Sequence, residues 1–328
     1  MKNKFSVLLI GLGNIGYKYD LNLPNKYVWS HLRAFENHPN FEIKGVVDIN
    51  KKVIENFSRQ FNVKSYHSIE KALISLKPDL IVVSTPNEAH LETLKKVYNI
   101  FSPKYIVCEK PLGNSFNQSI EIIELCKKNN SLLFVNYQRN SSTLSNKIKE
   151  KIVSHEFKPP YKIVAWYSKG LDNSASHFIT LFNLFFGKIK NVDSINSQTN
   201  NKILNNQEPF FKLNYDNCEA LFVPVSDTNY FYNSFDMICK NGKLTYENGG
   251  EFSSWYKVDN QNKTYSNYNI LSKEKEEFNS DFNYSQLSYV NNLSLYLEGK
   301  KNSISTSEDA LETINIIRSI RNQLNEIK

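Results

Sequence analysis

Cysteine is scarce and scattered in this 328-residue chain: four residues (Cys108, Cys126, Cys218 and Cys239), with no C-x-x-C pair and no Cys/His cluster. That pattern argues against a zinc site and for reduced thiols in the core, so no metal is expected. No apolar run approaches the roughly 20 residues a membrane helix needs. "FSVLLIG" near the start is too short for a signal segment and leads into glycines. A cytoplasmic chain with no membrane partner is the expectation. A block of basic charge is missing as well. The formal net charge is +7, but the lysines are spread along the chain, which argues against a nucleic-acid footprint. A mild positive balance still attracts phosphorylated small molecules. There is no internal repeat.

What is present is a rhythm. Apolar residues make up 40% and charged residues 22%, a globular composition with length for two domains. Strand-like runs recur at Phe5–Ile10, Phe41–Val47, Val63–Tyr66, Leu80–Ser84, Tyr105–Cys108 and Leu132–Val135. Amphipathic stretches such as "NEAHLETLKKVYNI" and "FNQSIEIIELCKK" lie between them. Uninterrupted apolar strands alternating with helices predict a doubly wound α/β domain, with a parallel sheet covered on both faces, over residues 1–135.

The first turn, "IGLGNIG", places Gly11, Gly13 and Gly16 in a G-x-G-x-x-G spacing directly after a strand. Gly11 allows the turn, Gly13 the close approach of a pyrophosphate, and Gly16 tight helix packing. The backbone of Asn14, Ile15 and Gly16 opens a helical segment whose N–H groups face phosphate. The second strand ends in Asp48, which accepts hydrogen bonds from an adenosine ribose and repels a 2′-phosphate. NAD is therefore expected, in preference to NADP. Asp48 lies well beyond the usual spacing of about 20 residues after the glycines. The excess is "YKYDLNLPNKYVW" (17–29), where Pro24 interrupts a continuous helix. This insertion reads either as a loop near cofactor or substrate or as a structural excursion.

From Asn136 the rhythm stops. "YKIVAWYS" (161–168), "NCEALFVPV" (217–225) and "FDMICKNGKLTYENGG" (235–250) predict an α+β domain over 136–305 with a largely antiparallel open sheet. Its hairpin is expected to turn at Asn241-Gly242. "ASHFITLFNLFFG" (175–187) is apolar nearly all round and stops at Gly187, as a buried helix does. The stretch 257–284 is polar and reads as a surface excursion. At the end, Thr306 and Asp309 form a capping-box pattern. Leu311, Ile314, Ile317, Leu324 and Ile327 make a stripe, and this 306–328 helix is expected to pack back on the first domain.

The order of short signals is GLGNIG, VVD, "STPNEAH" (84–90), "CEKPLG" (108–113), "NYQR" (136–139) and "GLDNSASHFITLF" (170–182). In this order, over nearly the whole chain, it resembles the glucose–fructose oxidoreductase / inositol dehydrogenase / MocA (Gfo/Idh/MocA) family. The resemblance implies that Ser84, Thr85, Pro86, Asn87 and His90 lie along the cofactor toward its nicotinamide end, joined by Glu109 and Lys110. It implies that Lys110 reaches the reacting carbon and that His177 faces it, so these two are the candidate catalytic residues. Substrate contacts would come from Lys110, Asn173, His177 and Thr180. Many family members carry Asp where Asn173 and Thr180 stand; neither replacement titrates, so each can orient a hydroxyl but not carry a proton. Asp172 sits one place early. Arg139 reads as structural.

The resemblance makes "VCEKPLG" intelligible. An ammonium at the end of an apolar strand is costly unless something compensates. Oxidising an alcohol carbon with nicotinamide requires the hydroxyl proton to leave as well. A lysine can take it once its pKa falls from about 10.4 toward neutrality. The expected function is NAD-dependent hydride transfer at one hydroxyl or ketone carbon of a sugar, a cyclitol or a nucleotide-linked sugar. The alternative is a cofactor-binding sensor that keeps the fold without catalysis. A homodimer or homotetramer is expected, because a bare sheet face needs a cover.

Overall fold

In the computed structural model the described residues are 4–195, 208–225, 230, 232–260 and 268–326. They cluster into two compact units, Met1–Ser141 with Asn283–Ile314, and Ser142–Phe282 with Asn315–Lys328.

In the first unit, strands β1 (Phe5–Ile10), β2 (Phe41–Val47), β3 (Ser65–Tyr66), β4 (Leu80–Val83), β5 (Tyr105–Cys108) and β6 (Leu132–Val135) form one parallel sheet in the order β3-β2-β1-β4-β5-β6. Helices α1 (His31–Glu36), α2 (Lys51–Gln60), α3 (Ile69–Leu76), α4 (His90–Tyr98) and α5 (Phe116–Lys128) connect them. The central strands are largely apolar because both faces are covered, β4 being buried along its whole length. Val7, Leu9, Val82, Val107 and Phe134 pack with Phe35, Ile54 and Phe57 on one side. Leu8, Ile10, Ile81, Val83, Ile106 and Val135 pack with Leu73, Leu94 and Ile122 on the other. Ser30, Asn50, Ser68 and Ser115 cap four of these helices by accepting a backbone N–H, which satisfies groups otherwise orphaned at helix starts.

The second unit is a nine-stranded mixed sheet among the described residues. With α6 (Thr143–Val153) and α7 (Ser176–Phe186), its strands are β7 (Tyr161–Tyr167), β8 (Asn191–Ile195), β9 (Phe210–Asn214), β10 (Cys218–Pro224), β11 (Ser234–Cys239), β12 (Gly242–Glu247), β13 (Phe252–Asp259), β14 (Ile270–Leu271) and β15 (Glu276–Glu277). All pairs are antiparallel except β7 with β10. Alternation is clean: Tyr161, Ile163, Ala165 and Tyr167 are buried, while Lys162 and Trp166 are exposed. The buried face meets α6 and α7 through an aromatic core that includes Phe178, Phe182, Phe211, Phe222 and Phe235.

Three sequence expectations need correction. The β11–β12 turn is Lys240-Asn241, not Asn241-Gly242, because Cys239 pairs with Gly242. Gly242 is needed inside the strand, where a Cβ would lie 2.4 Å from the Tyr256 carbonyl oxygen and 2.5 Å from the Trp255 ring. Asn241 instead braces the turn, accepting from the Lys158 N–H and donating to the Glu156 carbonyl. Residues 283–305, grouped above with the second domain, cluster with the first. Their helix α8 (Ser285–Leu297) covers the β1 side of the parallel sheet through Tyr289, Val290 and Leu293. Helix α9 (Ser307–Glu326) buries Ala310, Thr313, Ile316, Ile317 and Ile320, a face rotated from the expected stripe. Its residues to Ile314 cluster with the first unit and those from Asn315 with the second. Asp309 accepts from the Thr306 N–H at 2.8 Å, as the capping box requires. Ile327 lies outside the described residues, as do 261–267 within the polar excursion.

Candidate active site

The strand order reverses between β1 and β4, and an open parallel sheet binds ligands in the crevice at such a switch point. Here the crevice is built from the glycine turn and the turn after β4. Gly11 has φ +100°, and a Cβ there would lie 2.7 Å from the Ser84 carbonyl. Ser84 locks the two turns together: its N–H donates to Ile10 and its hydroxyl to the Gly11 carbonyl, each at 2.8 Å. A Cβ on Gly16 would meet the Gly11 oxygen at 2.4 Å. A Cβ on Gly13 would meet nothing within 4 Å. That glycine therefore borders open space, as it must where a phosphate comes close. Residues Asn14–Lys18 wind one wide helical turn, and the backbone N–H groups at the start of such a turn have no partner within it.

Asp48 is fixed at both oxygens, accepting from the Leu12 N–H and the Asn50 N–H at 2.8 Å each. The glycine turn thus orients the carboxylate that would meet a ribose. Beyond β4, Thr85 and Pro86 lead into a short turn, Asn87–Ala89. The Thr85 hydroxyl oxygen is buried with no hydrogen-bond partner among the described residues. Asn87 donates to Asn114 at 2.8 Å. His90 is fully buried, with its ring nitrogens 2.9 Å from the Thr85 carbonyl and 3.0 Å from the Leu112 carbonyl. It ties the Thr-Pro-Asn turn to the Glu-Lys-Pro turn. An orphaned hydroxyl, an open cradle at Gly13 and an oriented carboxylate fit a dinucleotide laid across this crevice.

Lys110 follows β5, with a cis peptide to Pro111. Burial pushes its ammonium down to about 8; the Glu109 carboxylate opposes this and the Arg139 guanidinium adds to it. Glu109 is itself buried, which alone would raise it. Hydrogen bonding and charge from His31, the Asn136 amide and the Lys110 ammonium outweigh that and hold it below the usual carboxylate range. His31, Asn136 and Gln286 were not singled out in the sequence. Each needs a long-range contact to acquire meaning; the one local signal was that Ser30-His31 ends the insertion.

The second unit carries the other candidates on one helix start. His177 is buried at the second position of α7. Thr180, also buried, donates to the His177 carbonyl at 3.0 Å. Asn173 is exposed within the wide turn Leu171–Ala175. Asp172 is paired with Arg321.

Comparison with known proteins agrees with this geometry. Residues 5–137 match the family model described as an oxidoreductase family with an NAD-binding Rossmann fold. Glucose-6-phosphate 3-dehydrogenase of Bacillus subtilis is 27% identical over 127 residues, 39% of this chain and 35% of that one. The chain covers only 20% to 38% of the length of such curated relatives. Among solved structures, the WlbA dehydrogenase of Bordetella pertussis, in complex with NADH and UDP-GlcNAcA, aligns over 98% of both chains with TM-score 0.71 at 16% identity. A super-repressor mutant of Gal80p from Saccharomyces cerevisiae aligns over 98% of this chain and 96% of its own, with TM-score 0.77 at 14% identity. These last two likenesses establish the fold of both units. The match to the Gfo/Idh/MocA oxidoreductase family model covers the N-terminal Rossmann domain, residues 5–137.

Proposed function

We propose that the protein is an NAD-dependent oxidoreductase acting on one hydroxyl or ketone carbon of a sugar, with Lys110 as the group that takes or gives the hydroxyl proton. The observation that carries this reading is a half-buried lysine, lowered to about 8, at the end of β5 in an NAD-binding Rossmann domain. A bound nicotinamide supplies the hydride acceptor or donor. The chain's own part is to hold the reacting carbon and move the proton. At pH 7 a lysine at about 8 is neutral in roughly one molecule in ten, against roughly one in 2,500 at the ordinary value. That neutral fraction is what a base needs. His177 is the second candidate for contact with substrate hydroxyls. Asp48 supports NAD over NADP, because a fixed carboxylate repels a 2′-phosphate.

The sugar class rests on the names of the relatives above, one a glucose-6-phosphate 3-dehydrogenase and one a complex with UDP-GlcNAcA. Turnover is expected with nucleotide-linked or phosphorylated sugars in a panel that also holds free sugars and cyclitols, and faster with NAD than with NADP. No turnover across the panel despite tight NAD binding would favour the sensor reading, to which the non-titrating Asn173 and Thr180 and the Gal80p-like fold lend support.

The outer face of the second sheet carries Trp166 and Ile238, 38% and 48% exposed, beside Val164, Leu221 and Val223 on adjoining strands. A second copy of the chain is the proposed cover. Sedimentation should give a dimer or tetramer that Trp166→Glu weakens; a monomeric wild-type protein removes this proposal.

A further inference from the structure

Four side chains from four separate segments close a buried ring in the first unit. His31 begins α1, Glu109 follows β5, Asn136 follows β6, and Gln286 lies in the first turn of α8. His31 and Gln286 are fully buried, and Asn136 and Glu109 are 2% and 8% exposed. The Gln286 amide nitrogen stands 3.1 Å from His31 Nδ1. Nε2 stands 2.7 Å from Glu109 Oε1, and the Asn136 amide donates to the same oxygen at 2.5 Å. Asn136 also donates to the Gln286 side-chain oxygen at 3.1 Å, closing the ring. The other carboxylate oxygen accepts from the Lys110 backbone N–H at 3.3 Å.

The 17–29 insertion delivers His31 to this ring and is rigid for that purpose. Buried Asp20 accepts from the Trp29 and Ser30 N–H groups and from the Ser30 hydroxyl, all within 2.8 Å. Arg33 donates to the Leu23, Pro24 and Tyr27 carbonyls. The Val28 N–H donates to Asn283 at 2.7 Å and the Gln286 N–H to Val28 at 3.2 Å. The loop and the start of α8 are thus sewn together where His31 and Gln286 meet.

We propose that His31, held by Gln286, is a positioning residue that fixes the Glu109 carboxylate beside Lys110 and so controls the reactivity of the Lys110 amine. This rests on the reading of Lys110 given above. A buried carboxylate stays ionised only while donors compensate its desolvation. The other ionisable groups near it are Cys108 and Tyr289, both held protonated by burial. Lys110 faces Glu109 and Arg139. Removing the His31 donor pushes Glu109 toward its neutral form, which weakens the charge that holds the Lys110 ammonium up.

The test is trace acetylation of the full chain, without coenzyme or substrate, with Lys110 labelling quantified by mass spectrometry across the pH range around its midpoint. The wild-type midpoint is expected near 8. His31→Phe and Gln286→Met should lower it by roughly half a pH unit or more, the scale of a changed neighbouring charge. His31→Gln, which keeps a donor and an acceptor, should restore it. An unchanged midpoint in whichever of His31→Phe and Gln286→Met is folded overturns the proposal; so does loss of the fold in both, which makes the ring a core support. Lys110→Ala with intact turnover would end the catalytic reading while leaving the labelling result to stand or fall alone.

Discussion

Replacing Lys110 with alanine is expected to reduce turnover by about 10²–10⁴-fold, the range for loss of a positioned acid or base. NAD affinity should stay near wild type, because the crevice contacts come from the glycine turn, Asp48 and the Thr85 turn. The pH dependence has a defined sign. In the oxidation direction the base must be neutral, so kcat/KM rises with pH and levels off above the Lys110 midpoint near 8. In the reduction direction the ammonium is the active form, and the rate falls through the same midpoint. Lys110→Ala should lose this transition in both directions. Lys110→Arg keeps the charge but cannot release the proton near neutrality, so it should be as inactive as alanine.

The glycine turn offers the second large effect, through a pair of substitutions that separate folding from binding. Gly11→Ala forces a side chain into φ +100° and sets its Cβ 2.7–2.8 Å from Ser84 and Thr85 backbone atoms. Strained backbone costs about 1–3 kcal/mol, and overpacking adds about 1–3 kcal/mol. Gly11→Ala should therefore lower the denaturation midpoint clearly and displace the Thr85 turn, with loss of NAD binding. Gly13→Ala is different. Its backbone, φ −76° and ψ −162°, suits any residue, and its Cβ meets nothing in the chain. Stability should change by under about 0.5 kcal/mol while NAD affinity drops at least tenfold, because the methyl group occupies the space a pyrophosphate needs. Equal affinity in Gly13→Ala would place the dinucleotide elsewhere.

The parallel sheet was legible because its central strands are largely apolar runs and the connections amphipathic helices, signals that need no long-range information. The second sheet was legible in outline from the alternation in Tyr161–Tyr167. Its turn was misplaced because Asn-Gly is the stronger local hairpin signal. The glycine's actual task, making room for Trp255 and the Tyr256 carbonyl, is set by a neighbouring strand. Helix α8 was missed as part of the first unit because "SQLSYVNNLSLYL" has little amphipathic contrast and lies more than 140 residues from the sheet it covers. Within the candidate site, local spacing pointed to Gly11, Gly13, Gly16 and Asp48, and the family resemblance pointed to Lys110. Neither could show that His31, Asn136 and Gln286 converge on Glu109, since no pair of them shares a segment. The insertion at 17–29 reads from the sequence either as a loop near cofactor or substrate or as a structural excursion; Asp20, buried under three donors, is what makes it a brace.

The most direct measurement on the central claim is turnover of Lys110→Ala, saturated with NAD, with and without a small primary amine in solution. The account predicts that the variant binds NAD, is nearly inactive alone, and regains rate in proportion to the neutral amine supplied. A variant that turns over at the wild-type rate with no added amine would contradict it.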